Sequence, residues 1–510
     1  MKKETKLLFL VFFIITIIKI ILNYFVKSPS SFSDSYFYTL SAKALIGLDF
    51  STFFKFYPPL YSLLISWAYL FNNYEISYFL IKLTNSILSS LIIFPSYFLA
   101  KEYLKDEKLS FYSALIIALL PSNLSYSSFI MSENIFNLLV VLTVYILYLV
   151  FVKSKKSLII LSSILISLCY MTRTISFVFF PIIILYSILE KKYKEGFSII
   201  ILSTFLLIPF ILIKGSLFVG YEVEIYRISE GQVNIIETLF WILLYPFLLY
   251  LQGFIIFTNS ALKTIKLNQT TKLFILFIIS FVGIAAYHAI AGRVGLFDII
   301  SGRPIGRYTA PILPLIIIMG IKNIRKFKIN YFLTIPFAIL MLYPLLPPNN
   351  IDISWLGWLY LLIGNQSIFL QLIINLCVLI ILISLINYLR RYITLKRLIC
   401  IILILNLFIW GGIVYDSNNY YFDRDDTRAG IYLNKLSSDA IIVIDPKGCD
   451  DVFNKRSQTV CDKDNKMSLI GFWNKKVIIG DYTQGDYFVS KEELQLKKIK
   501  QFGEVIIYET

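Results

Sequence analysis

Uncharged apolar runs long enough to cross a bilayer set the first limit on this chain. The stretch LLFLVFFIITIIKIILNYF, residues 7–25, holds one lysine, and comparable runs recur along much of the 510 residues. A helix needs about 20 such residues to cross ~30 Å of hydrocarbon. Composition points the same way. Hydrophobic residues make up 57% and charged residues 16%, with a mean hydropathy of +0.73, against about 25% charged in ordinary soluble domains. The chain reads as an α-helical polytopic membrane protein. No small-residue cleavage site follows residues 7–25, so they read as a retained first helix and not a signal peptide.

Charge then sets sidedness. Residues 416–510 carry 14 Lys/Arg against 16 Asp/Glu, which leaves 34 against 16 in residues 1–415. The net charge of +16 therefore resides in short loops between apolar runs, as the positive-inside rule describes. No nucleic-acid partner is expected. The basic clusters are MKKETK (1–6), KEYLKDEK (101–108), KSKK (153–156), EKKYK (190–194), Lys263 to Lys272, KNIRKFK (322–328) and LRRYITLKR (389–397). If all face the cytoplasm, each neighbouring pair encloses an even number of spans, and every gap has room for two. One further run, LICIILILNLFIWGGIVY (398–415), carries the chain across once more. The prediction is about 13 transmembrane helices, with the N-terminus cytoplasmic and the C-terminus extracytoplasmic. The stretch PPLYSLLISWAYLF (58–71) is too short to span and reads as a helix lying on or dipping into the outer surface.

Residues 1–415 thus form a membrane domain with an outer loop at 26–75. Residues 416–510 change character. DDTRAGIYLNKLSS has a helical pattern with Asp425 or Asp426 as its cap, while AIIVID, KVIIGD and EVIIYE read as strands. A small extracytoplasmic α/β domain is expected there. Cys449 and Cys461 both fall in it, where thiols can oxidise, so they are a candidate disulfide. Cys169, Cys377 and Cys400 lie in apolar runs and read as packing residues.

Five polar residues stand out on the outer side of this topology. Asp34, in SSFSDSYFYTLSAKAL, is a lone carboxylate among serines and aromatics just past the first span. Glu133 is the only acid between Glu107 and Glu190. It reads equally as a first-turn carboxylate after a Ser132 cap or as a second acid on an outer cavity, orienting an acceptor or a cation. Arg173 is the one charge in residues 157–189, costly at such depth unless it is paired or faces water. Arg303 and Arg307, in SGRPIGRYTAPILPL, run against the inside preference of basic residues and suggest an anion site, because guanidinium matches phosphate in a fork geometry. Lys19 and Lys82 can snorkel to the interface, and His288, the only histidine, reads as a hydrogen-bonded core residue. No metal-ligand spacing, phosphate-binding loop or dinucleotide fingerprint appears, so any divalent metal stays unassigned.

Taken as a set, these residues resemble a family pattern. Asp34 in the first outer loop, Pro58-Pro59-Leu60, Ser132-Glu133, Arg173 with Pro181, and Arg307-Tyr308 with Pro311 and Pro314 are similar to the arrangement in the GT-C glycosyltransferases. These integral-membrane enzymes include the protein O-mannosyltransferases, the aminoarabinose transferases and the catalytic subunit of oligosaccharyltransferase. The resemblance covers residues 1–325. It implies transfer of a sugar from a polyprenyl-phosphate-linked donor to a glycan, lipid or protein acceptor on the non-cytoplasmic face, with inversion at the sugar. It gives Asp34 the role of the members' first-loop catalytic Asp, with Glu133 as a second catalytic acid, and the charge that develops on the leaving phosphate assigns the donor's phosphate to Arg173, Arg303, Arg307 and Tyr308. The chain departs from the pattern in two places. The O-mannosyltransferases have an Asp-Glu pair where this chain has Asp34-Ser35, and oligosaccharyltransferases have further acids and a Trp-Trp-Asp motif that it lacks. The branch using lipid-phosphate monosaccharides is the better match. A lipid or sugar transporter or flippase is the competing class, but it would show repeated halves and interrupted helices with midplane polar residues.

Overall fold

The computed structural model describes residues 3–29, 33–71, 73–215, 256–264, 268–291, 308–326, 394–437, 440–445, 468–474 and 476–510. The chain divides into two compact units. The first is Met1–Ile18, Ile87–Tyr126 and Ser132–Ile409; the second is Lys19–Ser86, Ser127–Met131 and Trp410–Thr510.

The helices in order are α1 (Lys3–Tyr24), α2 (Ser33–Ile46), α3 (Phe50–Phe53), α4 (Leu60–Ser66), α5 (Tyr74–Ser90), α6 (Ile93–Leu104), α7 (Glu107–Ala118), α8 (Pro121–Ser125), α9 (Glu133–Phe151), α10 (Ile159–Thr172), α11 (Phe179–Leu189) and α12 (Tyr193–Lys214). Helices at Ile256–Thr264, Gln269–Ala291, Leu313–Gly320 and Leu395–Tyr415 follow. Among the described residues six helices are long and apolar enough to cross a membrane, or seven if the pair α7–α8, bent by 51° at Pro121, is one broken span. The chain is a multi-pass membrane protein. The expected total of 13 also draws on 216–255 and 327–393, outside the described residues.

α1 shows why hydrocarbon is its solvent. It exposes Leu10, Phe13, Ile17 and Ile21 along one stripe and buries Thr16, Lys19 and Asn23 on the other. That inverts the polarity of a water-soluble amphipathic helix. The expected snorkelling lysines do not snorkel: Lys19 is 0% and Lys82 4% exposed. Lys82 Nζ donates to Asn23 O at 2.6 Å and Val26 O at 2.5 Å, under the Tyr78 ring at 4.3 Å. These carbonyls lie at and just past the end of α1, where the last carbonyls have few helical donors, so Lys82 supplies donors to the turn that closes the helix. Cys169 is buried as expected, whereas Cys400 is exposed on its helix.

The short helix expected from PPLYSLLISWAYLF forms as α4, continued by a 3₁₀ turn over Trp67–Leu70. It buries Tyr61, Ser62, Ile65, Ala68 and Tyr69, and it exposes Leu63, Trp67 and Leu70.

Within the second unit the non-helical segment 127–131 is held by side chains. Asn23 Nδ2 donates to Ser127 O at 3.1 Å, Tyr78 Oη to Ser128 O at 3.3 Å, Asn85 Nδ2 to Phe129 O at 2.8 Å, and Ser35 Oγ to Ile130 O at 3.0 Å. Irregular backbone at membrane depth survives only where its polar groups are satisfied by protein.

The tail folds as anticipated, with two strands added. β1 (Ile441–Ile444), β2 (Lys476–Ile479), β3 (Tyr487–Ser490), β4 (Lys497–Phe502) and β5 (Val505–Glu509) form one sheet in the order β2-β1-β3-β5-β4. β1 pairs parallel with β2 and β3, and β5 pairs antiparallel with β3 and β4. One face packs Ile442, Ile444, Val489, Val505 and Ile507 against Ala429 and Leu433 of the helix Asp425–Leu436 and Ile470 of the helix Ser468–Trp473. Asp425 and Asp426 are the first residues of their helix, not its cap. Arg424 holds the capping position, and its guanidinium clasps the Asp426 carboxylate in two bonds of 3.0 Å.

Candidate functional site

In the second unit Asp34 lies in the first turn of α2, where the unpaired amides of a helix start favour a carboxylate. The side chain is half-buried, and Tyr57 Oη donates to its Oδ1 at 3.0 Å. The Tyr57 ring lies 5.2 Å from Tyr38 and 5.7 Å from Phe37, both on α2. Pro58 follows Tyr57, and a proline biases the residue before it toward extended backbone. Tyr57 therefore enters the site from a stiff approach to α4. Ser35, next along the helix, is buried and donates to Ile130 O, so it anchors the 127–131 segment.

The next carboxylate along the loop is of another kind. Asp49 caps α3, accepting from Thr52 N at 3.1 Å and Ser51 Oγ at 2.7 Å. Hydrogen bonds from Thr52 and Ser51 hold its carboxyl down at about 2. It is exposed and structural.

In the first unit Glu133 and Arg173 meet. Arg173 ends α10 in extended conformation, with φ −151° and ψ 127°, and its Nη1 donates to Glu133 Oε1. Glu133 is 1% and Arg173 7% exposed, so each charge offsets the cost of burying the other. The guanidinium carbon lies 5.0 Å from the Tyr308 ring centre and 5.8 Å from that of Phe136, within cation–π range. Ser132 takes the capping position of α9, but its side chain makes no capping bond. Three of the singled-out residues, Glu133, Arg173 and Tyr308, thus come together around one fixed guanidinium. Arg303, Arg307, Cys449 and Cys461 lie outside the described residues, as does the His288 side chain. Among the described residues no three His, Cys, Asp or Glu side chains gather as a metal site requires.

Two residues bearing on Asp34 carry only a faint sequence signal. Tyr57 sits inside the quoted FYPPL motif, yet nothing in spacing says its hydroxyl reaches back 23 residues. Lys43 lies nine residues after Asp34 and reads as an ordinary loop lysine.

No family model and no curated protein matches the chain. Among solved structures, ArnT from Cupriavidus metallidurans bound to undecaprenyl phosphate superposes with a TM-score of 0.60 at 10% identity, covering 98% of this chain and 97% of that one. The apo form of the same protein gives 0.58 over the same shares, also at 10% identity. The chain shares the fold of ArnT over nearly its whole length. An oligosaccharyltransferase from Archaeoglobus fulgidus, 14% identical, covers 91% of this chain and 62% of its own at a TM-score of 0.34, too slight to argue from. The GT-C likeness to ArnT extends beyond residues 1–325, where the motifs lie, through the C-terminal sheet.

Proposed function

We propose that the chain transfers a sugar from a polyprenyl-phosphate-linked donor to a protein, lipid or glycan acceptor on the non-cytoplasmic face of the membrane, with Asp34 as the base. The observation that carries this reading is the nearly full-length likeness to a structure solved with undecaprenyl phosphate bound. The site chemistry supports it. An acceptor hydroxyl is a weak nucleophile, and a carboxylate that takes its proton as the new bond forms contributes ~10²–10⁴-fold. As the acceptor oxygen bonds to the anomeric carbon, the bond from that carbon to the phosphate oxygen breaks. Its electron pair leaves on the phosphate, and the acceptor proton passes to Asp34. Attack from the face opposite the phosphate inverts the sugar.

Tyr57 donates to Asp34 Oδ1 and thereby orients the carboxylate that takes the acceptor's proton. Arg303 and Arg307 receive the lipid phosphate, where fixed cations stabilise the charge that develops on departure. Arg173 serves the same charge, with Glu133 orienting its guanidinium and the Tyr308 ring stacked against it. In this reading Glu133 orients a cation and is not a second base. The N-terminus is cytoplasmic, 1–415 is the membrane domain, and 416–510 is extracytoplasmic.

The test offers labelled undecaprenyl-phosphate monosaccharides, one sugar at a time, to membranes with and without the chain. Label is expected to leave the donor only where the chain is present. Retention of undecaprenyl phosphate without transfer from any sugar contradicts the transferase reading and returns the chain to the flippase class.

A further inference from the structure

Lys43 makes two hydrogen bonds and two ring contacts, and the reaction above has no use for it. It lies in the last turn of α2, the helix whose first turn holds Asp34. Its Nζ donates to Gly471 O at 3.0 Å and Asn474 O at 2.8 Å. Gly471 lies in the last turn of the helix Ser468–Trp473 and Asn474 just after it, where the closing carbonyls favour a donor. The same Nζ lies 4.6 Å from the Tyr74 ring centre and 5.5 Å from that of Tyr69. Burial pushes Lys43 down to about 7.

A second contact joins the same two helices. Gly471 packs against Tyr36, so closely that an added Cβ would stand 2.5 Å from the ring Cε2. The tail continues the stack. Asn474 Nδ2 donates to Gly430 O at 3.0 Å and Ile470 O at 2.9 Å. An added Cβ on Gly430 would meet Ile470 Cα at 3.1 Å. Trp473 is buried beside them. A side-chain clamp, a glycine-on-ring contact and a close helix pair thus run from the core of the C-terminal α/β domain to α2.

We propose that the C-terminal domain is a positioning element for Asp34, coupled to it through Lys43 and the Gly471–Tyr36 contact. The function assigned to Asp34 rests on the transferase reading, but the coupling does not. The domain holds the far end of a 14-residue helix, and so limits the swing of its first turn against Tyr57. Lys43, Gly471 and Tyr36 are positioning residues and touch no reacting group.

The test compares the full chain in lipid nanodiscs with Lys43→Met, Lys43→Arg and Gly471→Ala. Two readouts need no turnover: hydrogen exchange across residues 34–46, and the rate at which a water-soluble carbodiimide labels Asp34. Lys43→Met removes the donors while keeping most of the side chain's length, and Gly471→Ala wedges the helices apart. Lys43→Met, which loses two hydrogen bonds, is expected to speed both readouts about tenfold or more, and Gly471→Ala is expected to shift both in the same direction. Lys43→Arg, which keeps the donors, restores them toward wild type. Faster exchange confined to residues 468–510, with residues 34–46 and Asp34 labelling unchanged in Lys43→Met and Gly471→Ala, overturns the proposal. Because neither readout depends on sugar transfer, a wild-type chain that transfers nothing would sink the transferase reading and leave this coupling to be judged by itself.

Discussion

Arg173 and Glu133 allow a prediction worked from geometry. Each is almost wholly buried, and each is the other's ionic partner. Replacing Arg173 by Met removes the ionic partner of a buried carboxylate, a loss of about 3–5 kcal/mol for breaking a buried pair. The lost stacking on Tyr308 and Phe136 adds about 0.5–2 kcal/mol. Glu133→Gln removes the guanidinium's ionic partner but keeps an oxygen acceptor, so it costs less than Arg173→Met. The double variant, Arg173→Met with Glu133→Gln, removes both charges and is expected to be more stable than Arg173→Met alone, with a coupling energy of about 1–3 kcal/mol. The assay is reversible unfolding in mixed detergent micelles across the four proteins of the cycle. Additive losses, or a double variant less stable than Arg173→Met, would refute the claim that the pair is a mutually compensating buried unit.

Further consequences concern the first outer loop. Tyr57→Phe removes the hydroxyl that holds Asp34 Oδ1 while keeping the ring, so turnover falls about tenfold, the share of one hydrogen bond, and undecaprenyl phosphate retention is unchanged; a loss of retention places Tyr57 in the lipid site instead. Asp49 titrates with the opposite sense from a buried acid. Its carboxyl is held at about 2, below the ordinary 3.8, so its contribution is present above 3.8 and is lost as pH falls through 2. Hydrogen exchange of residues 50–54 should rise over that window in the wild type and stay flat in Asp49→Asn. At this exposed site the gain is small.

Much of the architecture is legible in the sequence because the bilayer imposes one rule, uninterrupted apolar length, and the tail's abrupt change of charge breaks it. The short helix at α4 and three of the five strands follow from length and β-branching alone. β3 and β4 escape for a physical reason. β4, KKIKQF, is a solvent-exposed edge, and edge strands carry lysines that block further pairing, which erases the apolar signal. Lys19 and Lys82 mislead because a lysine in an apolar run can reach water or can satisfy a helix end, and sequence does not say which carbonyls are near. The site is partly legible. Asp34, Glu133 and Arg173 stand out as charges in uncharged surroundings, but that Glu133 and Arg173 bind each other depends on a contact 40 residues apart. Tyr57 and Lys43 have ordinary neighbours, so only the fold shows what they touch.

The most direct measurement is sugar transfer by Asp34→Asn, made beside undecaprenyl phosphate retention by the same preparation. Asparagine preserves the shape and accepts the Tyr57 hydrogen bond, but it cannot take a proton from an acceptor. The account predicts retention equal to wild type and transfer lowered ~10²–10⁴-fold. An Asp34→Asn protein that transfers sugar at the wild-type rate contradicts it.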